Sequence, residues 1–149
     1  MKSFISEKSG RVVTMNLQKG ELLIESIREE AEKLGISNAV LLSAIGSLRK
    51  IVMHVILTTD DLAQNEYLTI EEPIELGAMQ GLIINGEPHF HFACSAPGGR
   101  SYTGHVEDGC EVQYLVELSF MELTGIDVER RPDQYGITCI EEKEQMDQL

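Results

Sequence analysis

The chain has 149 residues, 42% of them apolar, which is enough for one hydrophobic core and marginal for two. Twelve basic residues stand against 25 acidic ones, a formal charge of −13. That balance opposes nucleic-acid binding, which draws much of its affinity from Lys and Arg neutralising phosphates.

Local charge sharpens the point. No Lys or Arg occurs from residue 51 to residue 99, while Asp60, Asp61, Glu66, Glu71, Glu72, Glu75 and Glu87 do. A cation suits the middle of this chain better than a phosphate. No apolar run approaches the roughly 18 residues needed to span a bilayer, and Met1 to Lys8 carries no secretory-type apolar segment. Cys94, Cys110 and Cys139 are odd in number and widely spaced, the pattern of reduced thiols rather than of a disulfide framework. The expectation is a single cytoplasmic domain over residues 1–149, with its core at about 11–123.

Val12 to Leu17 alternate with period 2 and predict a strand, broken by Gly20. From Glu21 to Leu34 the period changes. Leu23, Ile24, Ile27, Ala31 and Leu34 share one face of an amphipathic helix, and Gly35 stops it. Strand-like runs follow at Ala39–Ile45 and Ile51–Leu57, separated by Gly46 to Lys50. Further runs lie at Glu66–Leu76, Gln80–Ile84, Pro88–Ala96, Arg100–Glu107 and Glu111–Leu123, with a short one at Ile126–Glu129. Residues Glu141 to Leu149 read as a polar tail. The fold class is α+β: a mostly antiparallel sheet or barrel of seven or more strands with one main helix packed on it.

The chemistry concentrates in Gly86-Glu87-Pro88-His89-Phe90-His91-Phe92 and the later Gly104-His105. Successive strand side chains point to opposite faces, so His89 and His91 share one face while Phe90, Phe92 and Cys94 share the other. Pro97-Gly98-Gly99 is a turn signal. With a three-residue loop, Ala96 pairs with Arg100 and His105 falls opposite His91, on the same face. A two-residue loop would put His105 on the other face unless a bulge restored the register.

Three neutral imidazoles suit Zn²⁺, with Ni, Cu, Fe or Mn also reasonable, and they leave a fourth position for water or a substrate. Glu107 and Thr103 lie on the same face and could orient the imidazoles. Glu117, in the next strand, is a further candidate ligand or base. His54, alone in the apolar run Ile51 to Leu57, reads as a packed or edge-strand histidine, and Arg100 as a solvent-facing turn residue.

Gly86-x-Pro88-His89-x-His91, a hairpin, Gly104-His105 and a closing strand with Glu117 together resemble the PPC domain, named for plants and prokaryotes. The resemblance spans roughly residues 11 to 123 and includes Gly20-Glu21 at the helix start and Ile45-Gly46 after the next strand. Where the family usually has Gly-Gly-His, this chain has Thr103-Gly104-His105. The resemblance implies an α+β domain assembling as a homotrimer. It also implies, from several prokaryotic members, a metal on the matching His89, His91 and His105. Plant members add an Arg-Gly-Arg arm for A·T-rich DNA, and bacterial ones are often labelled predicted DNA-binding proteins. Here Arg130-Arg131-Pro132 lacks the glycine of such an arm.

Two functions are therefore carried forward. One is a trimeric metalloprotein, zinc being the favoured cofactor, that binds or transforms a small molecule, with Glu107 and Glu117 as supporting residues. The other is a DNA-binding or regulatory interaction module.

Overall fold

The computed structural model describes residues 1–6 and 8–144. Its strands are β1 (Lys8–Gln18), β2 (Ala39–Ile56), β3 (Asn65–Ile84), β4 (Glu87–Ala96), β5 (Arg100–Val106), β6 (Glu111–Thr124), β7 (Val128–Pro132) and β8 (Thr138–Glu142). The single helix among the described residues, α1 (Leu23–Lys33), follows β1. Leu23, Ile24, Ile27 and Ala31 bury its apolar face, as their spacing predicts. The helix ends in a Schellman arrangement. Gly35 N–H donates to Glu32 O (3.0 Å), and Ile36 N–H donates to Ala31 O (2.9 Å).

Six strands form one antiparallel sheet in the order β1-β6-β2-β3-β4-β5, and β5 also pairs with β2. That extra pairing closes β2, β3, β4 and β5 into a ring, while β6 pairs with β2 from Ala39 to Lys50 and β1 lies beyond β6. The core packs α1 against the inner face, with Phe90, Phe92, Leu48, Ile51, Val116 and Phe120 all nearly inaccessible. No helix among the described residues is long and apolar enough to cross a membrane.

Two interruptions in the sequence turn out to be irregularities inside long strands. Gly46 to Lys50 does not separate two strands. β2 runs through it for 18 residues, with register shifts against β6 at Gly46/Leu48 and Leu48/Lys50. The expected strands Glu66–Leu76 and Gln80–Ile84 are likewise one strand, shifted by one residue against β4 between Leu76 and Ala78. Polar and glycine residues mark a bulge as readily as a turn, and only long-range pairing tells them apart. The expected Ile126–Glu129 strand is displaced to β7, which pairs with β8. Glu141 and Glu142 therefore belong to a strand rather than to a polar tail, and residues 145–149 lie outside the described residues.

Candidate metal centre

The site is built by the β3-β4-β5 meander. Asn85 and Gly86, both at positive φ (52° and 80°), form the two-residue turn that pairs Ile84 with Glu87. The buried Asn38 side chain holds this turn by accepting from Asn85 N–H at 3.0 Å. Beyond the turn, Phe90, Phe92 and Cys94 point into the core at 1%, 3% and 5% exposure, and His89 and His91 point out. Burial pushes the Cys94 thiol up to about 12 and that of Cys110 to about 11, so both stay protonated.

Opposite Phe90, Gly81 allows β3 to come in close to the peptide that follows His89. A Cβ there would sit 2.1 Å from the His89 carbonyl oxygen, and φ is +145°. Pro97 to Gly99 form a three-residue 3₁₀ loop, Ala96 pairs with Arg100, and His105 pairs with His91. The register is therefore the three-residue alternative.

The rings of His89 and His91 lie nearly parallel, 11° apart with centroids 5.5 Å apart. His105 meets both edge-on, with centroids 4.6 Å from His89 and 5.3 Å from His91. One ring nitrogen from each lies within 4.8 Å of the others. Burial, aided by His89 and His54, pushes the His105 imidazolium down to about 4, and burial with the Arg130 charge lowers His89. Neutral, convergent imidazoles are the donor set a borderline-soft divalent ion needs.

His54 is more than a packed histidine. The β2–β5 pairing sets it opposite His105, and the two rings stack at 23° with centroids 4.3 Å apart. Glu107 Oε1 accepts from His54 Nδ1 at 2.5 Å, so Glu107 orients His54 rather than one of the three histidines. His54, His105 and Glu107 form a second group with ligand atoms within 4.8 Å of one another. Nothing local in Ile51 to Leu57 announces this, because it depends on two strands some fifty residues apart.

The other expected residues go elsewhere. Thr103 is exposed and makes no side-chain hydrogen bond among the described residues. Glu117 is not beside the histidines. β6 pairs with β1 and β2, and Glu117 sits opposite Asn16 and Ile45, nine residues along β2 from His54. Adjacency in sequence did not become adjacency in the sheet. Arg100 does not face solvent alone but pairs with Glu72, whose carboxylate also accepts from Tyr102 Oη at 2.7 Å. Gly104 allows close approach of β5 to β2, since a Cβ there would meet Met53 Cε at 2.5 Å and His54 O at 2.7 Å. A cleft of about 950 Å³ lies at the bulged middle of β2 and contains no histidine. Of its charged walls, Arg49 pairs with Glu111 and Glu72 with the neighbouring Arg100, whereas Lys50, Glu71 and Glu75 make no ion pair among the described residues.

Known proteins share this architecture. A plant- and prokaryote-conserved (PPC) protein of Pyrococcus horikoshii superposes with a TM-score of 0.79 at 27% identity, over 93% of this chain and 96% of that one. A metal-containing protein of Archaeoglobus fulgidus gives 0.80 at 28% identity, over 95% and 100%. A candidate DNA-binding protein of Bacteroides thetaiotaomicron gives 0.76 at 14% identity, over 91% and 94%, a likeness of fold alone. Among curated sequences, the bifunctional protein GlmU of Synechococcus sp. (strain JA-3-3Ab) is 27% identical over 123 residues. Those residues are 83% of this chain but only 19% of that protein's length. The Plants and Prokaryotes Conserved (PCC) domain matches residues 4–124, and the chain belongs to that family.

Proposed function

We propose that this chain is a trimeric, cytoplasmic metalloprotein that binds or transforms a small molecule at a divalent metal, zinc by preference, held by His89, His91 and His105. The observation that carries the reading is the convergence of three imidazoles from two paired strands, with one ring nitrogen of each within 4.8 Å of the others. The metal-containing relative from Archaeoglobus fulgidus supports it. The trimer rests on the family resemblance. Three protein ligands would leave one coordination position open, and a zinc ion held there would supply Lewis acidity.

The chain's own residues supply the rest. Phe90 and Phe92 anchor the strand from below, and burial keeps His105 a neutral donor at physiological pH. Metal analysis of the purified protein beside His91→Ala, with light scattering for mass, tests the reading. One bound metal per chain, lost in the variant, in a particle of three chains is the expected result. Absence of metal under any loading would sink it.

The alternative, a DNA-binding or regulatory module, draws on the DNA binding suggested for the Bacteroides thetaiotaomicron neighbour. The charge of −13 weighs against it. Duplex binding that persists at physiological salt and tightens steeply as salt falls would reverse the preference; no binding at low salt removes the DNA form.

A further inference from the structure

β1, β6 and the first half of β2 lie side by side, and one side of them faces the core through Leu17, Ala44, Val116 and Leu118. The register fixes what stands on the other side. In two central rows Thr14 lines up with Ser119 and Ser43, and Asn16 with Glu117 and Ile45. Val12 in the row before and Leu115 in the row after are 61% and 42% exposed, and Ile45 is 50% exposed. An antiparallel sheet with one face in water normally alternates apolar-in with polar-out. Here the outer positions are apolar or small and neutral, and Glu117 is the single charge in the four rows, in a chain 25% charged. At the border Arg11 is paired with Glu122, and Glu75 lies across from Ser47 on β3. Thr14 and Ser119 share a hydrogen bond at 2.9 Å, whereas the side chains of Asn16, Ser43 and Glu117 make none among the described residues.

These features select the occupant. A nucleic acid finds no Lys or Arg on the four rows, and a basic protein finds one carboxylate. A second copy of this chain fits. With a formal charge of −13, two copies repel over most of their surface, and this face lets them meet almost without like charges. It also carries both halves of a polar match. Glu117 needs donors once water is removed, and the same rows hold the Asn16 amide and the Thr14 and Ser43 hydroxyls. A cleft of about 390 Å³ among these residues gives a neighbour's side chain a seat.

We propose that the outer face of β1, β6 and the first half of β2 is where copies of this chain meet, with Glu117 of one copy taking its donors from the amide and hydroxyls on the same rows of the next. In a closed ring of three the contact repeats around the axis, each carboxylate serving once as acceptor. This contact builds the trimer proposed above, so it rests on that part of the reading and not on the metal.

Light scattering of the unmodified chain at micromolar concentration, beside Ile45→Lys, Leu115→Lys and Leu62→Lys, tests this. Each lysine on the face should weaken association by at least about tenfold and shift the mass from three chains toward one. Leu62→Lys, on the exposed connection between β2 and β3, should keep three. Glu117→Gln keeps an acceptor without a charge to desolvate and should assemble at least as tightly as the parent. Hydroxyl-radical footprinting needs no substitution and so decides even where a variant fails to fold. Ile45 and Leu115 should react several-fold more slowly than Ile56 and Leu62, which are 74% and 66% exposed. An assembly of three chains that survives both lysines on the face, or footprinting rates that follow single-chain exposure, would overturn this contact and leave the trimer standing. Dissociation by Glu117→Gln would overturn the donor match. A parent of one chain at every concentration overturns the trimer, and this contact with it.

Discussion

Strand β4 carries two different chemistries on its two faces. Phe90, Phe92 and Cys94 face the core, while His89 and His91, one residue out of phase, face outward beside His105. The inner face makes the strand stay where it is, and the outer face uses that fixed position. Stability and metal binding should therefore separate under substitution, even though the residues are neighbours in sequence.

Phe90→Ala should have the largest effect. Removing a ring at 1% exposure costs about 3–5 kcal/mol, visible as a lower denaturant midpoint, with zinc still bound by the folded fraction. Equal stability in the variant would mean that the inner face is not what anchors β4. Gly81→Ala is the substitution expected to damage both faces. Its Cβ would collide with the His89 carbonyl oxygen, and strained backbone of this kind costs on the order of 1–3 kcal/mol. Here zinc affinity and stability should fall together, because the peptide that carries His89 must move.

Zinc itself should raise the melting temperature. At one hundred times its dissociation constant, a ligand specific to the folded state adds about 2.7 kcal/mol, and a chelator should remove that increment. In His91→Ala the increment should vanish while the metal-free melt stays within about 0.5 kcal/mol, since His91 is exposed. A metal-free melt that collapsed in this variant would erase the distinction between the faces.

Acid should reveal the same face without metal. His105 is held neutral in the fold down to about pH 4, whereas an unfolded histidine titrates near 6.5. Between those values the unfolded chain binds more protons, so this contribution to stability is complete above about pH 6.5 and is lost as pH falls toward 4. With the ring only partly buried, the loss should be about 1–2 kcal/mol, read from melts across that range. A flat profile would mean that His105 is protonated freely in the fold.

How much of this was legible follows from which contacts are local. The helix and its Gly35 stop, the alternation of Phe90, Phe92 and Cys94 against His89 and His91, and the loop that sets His105 opposite His91 are all short-range. Parity and turn chemistry suffice for them. The bulges at Gly46 to Lys50 and at Gly77 looked like breaks because sequence shows a glycine or a polar residue but not the partner strand. The placement of Glu117 failed for the same reason, since strand order in a sheet need not follow chain order. His54 reads as a packed or edge-strand histidine from its own run because ring closure by β2–β5 is set by a pairing distant in sequence.

His54 gives the smallest expected effect and the sharpest discrimination. Its stacking on His105 and its bond to Glu107 make it a support for a ligand, yet His54, His105 and Glu107 could themselves hold an ion. His54→Phe keeps an aromatic ring against His105 and removes both ring nitrogens. As a support, His54 should cost about 0.5–1.5 kcal/mol of stability for the lost hydrogen bond, and zinc affinity should stay within about tenfold, because its contact with the metal is indirect. A loss of zinc as complete as in His91→Ala would make His54 a ligand. The centre would then extend from the two strands of the hairpin to the seam where β2 meets β5, with the outer face of β4 supplying only part of its ligands.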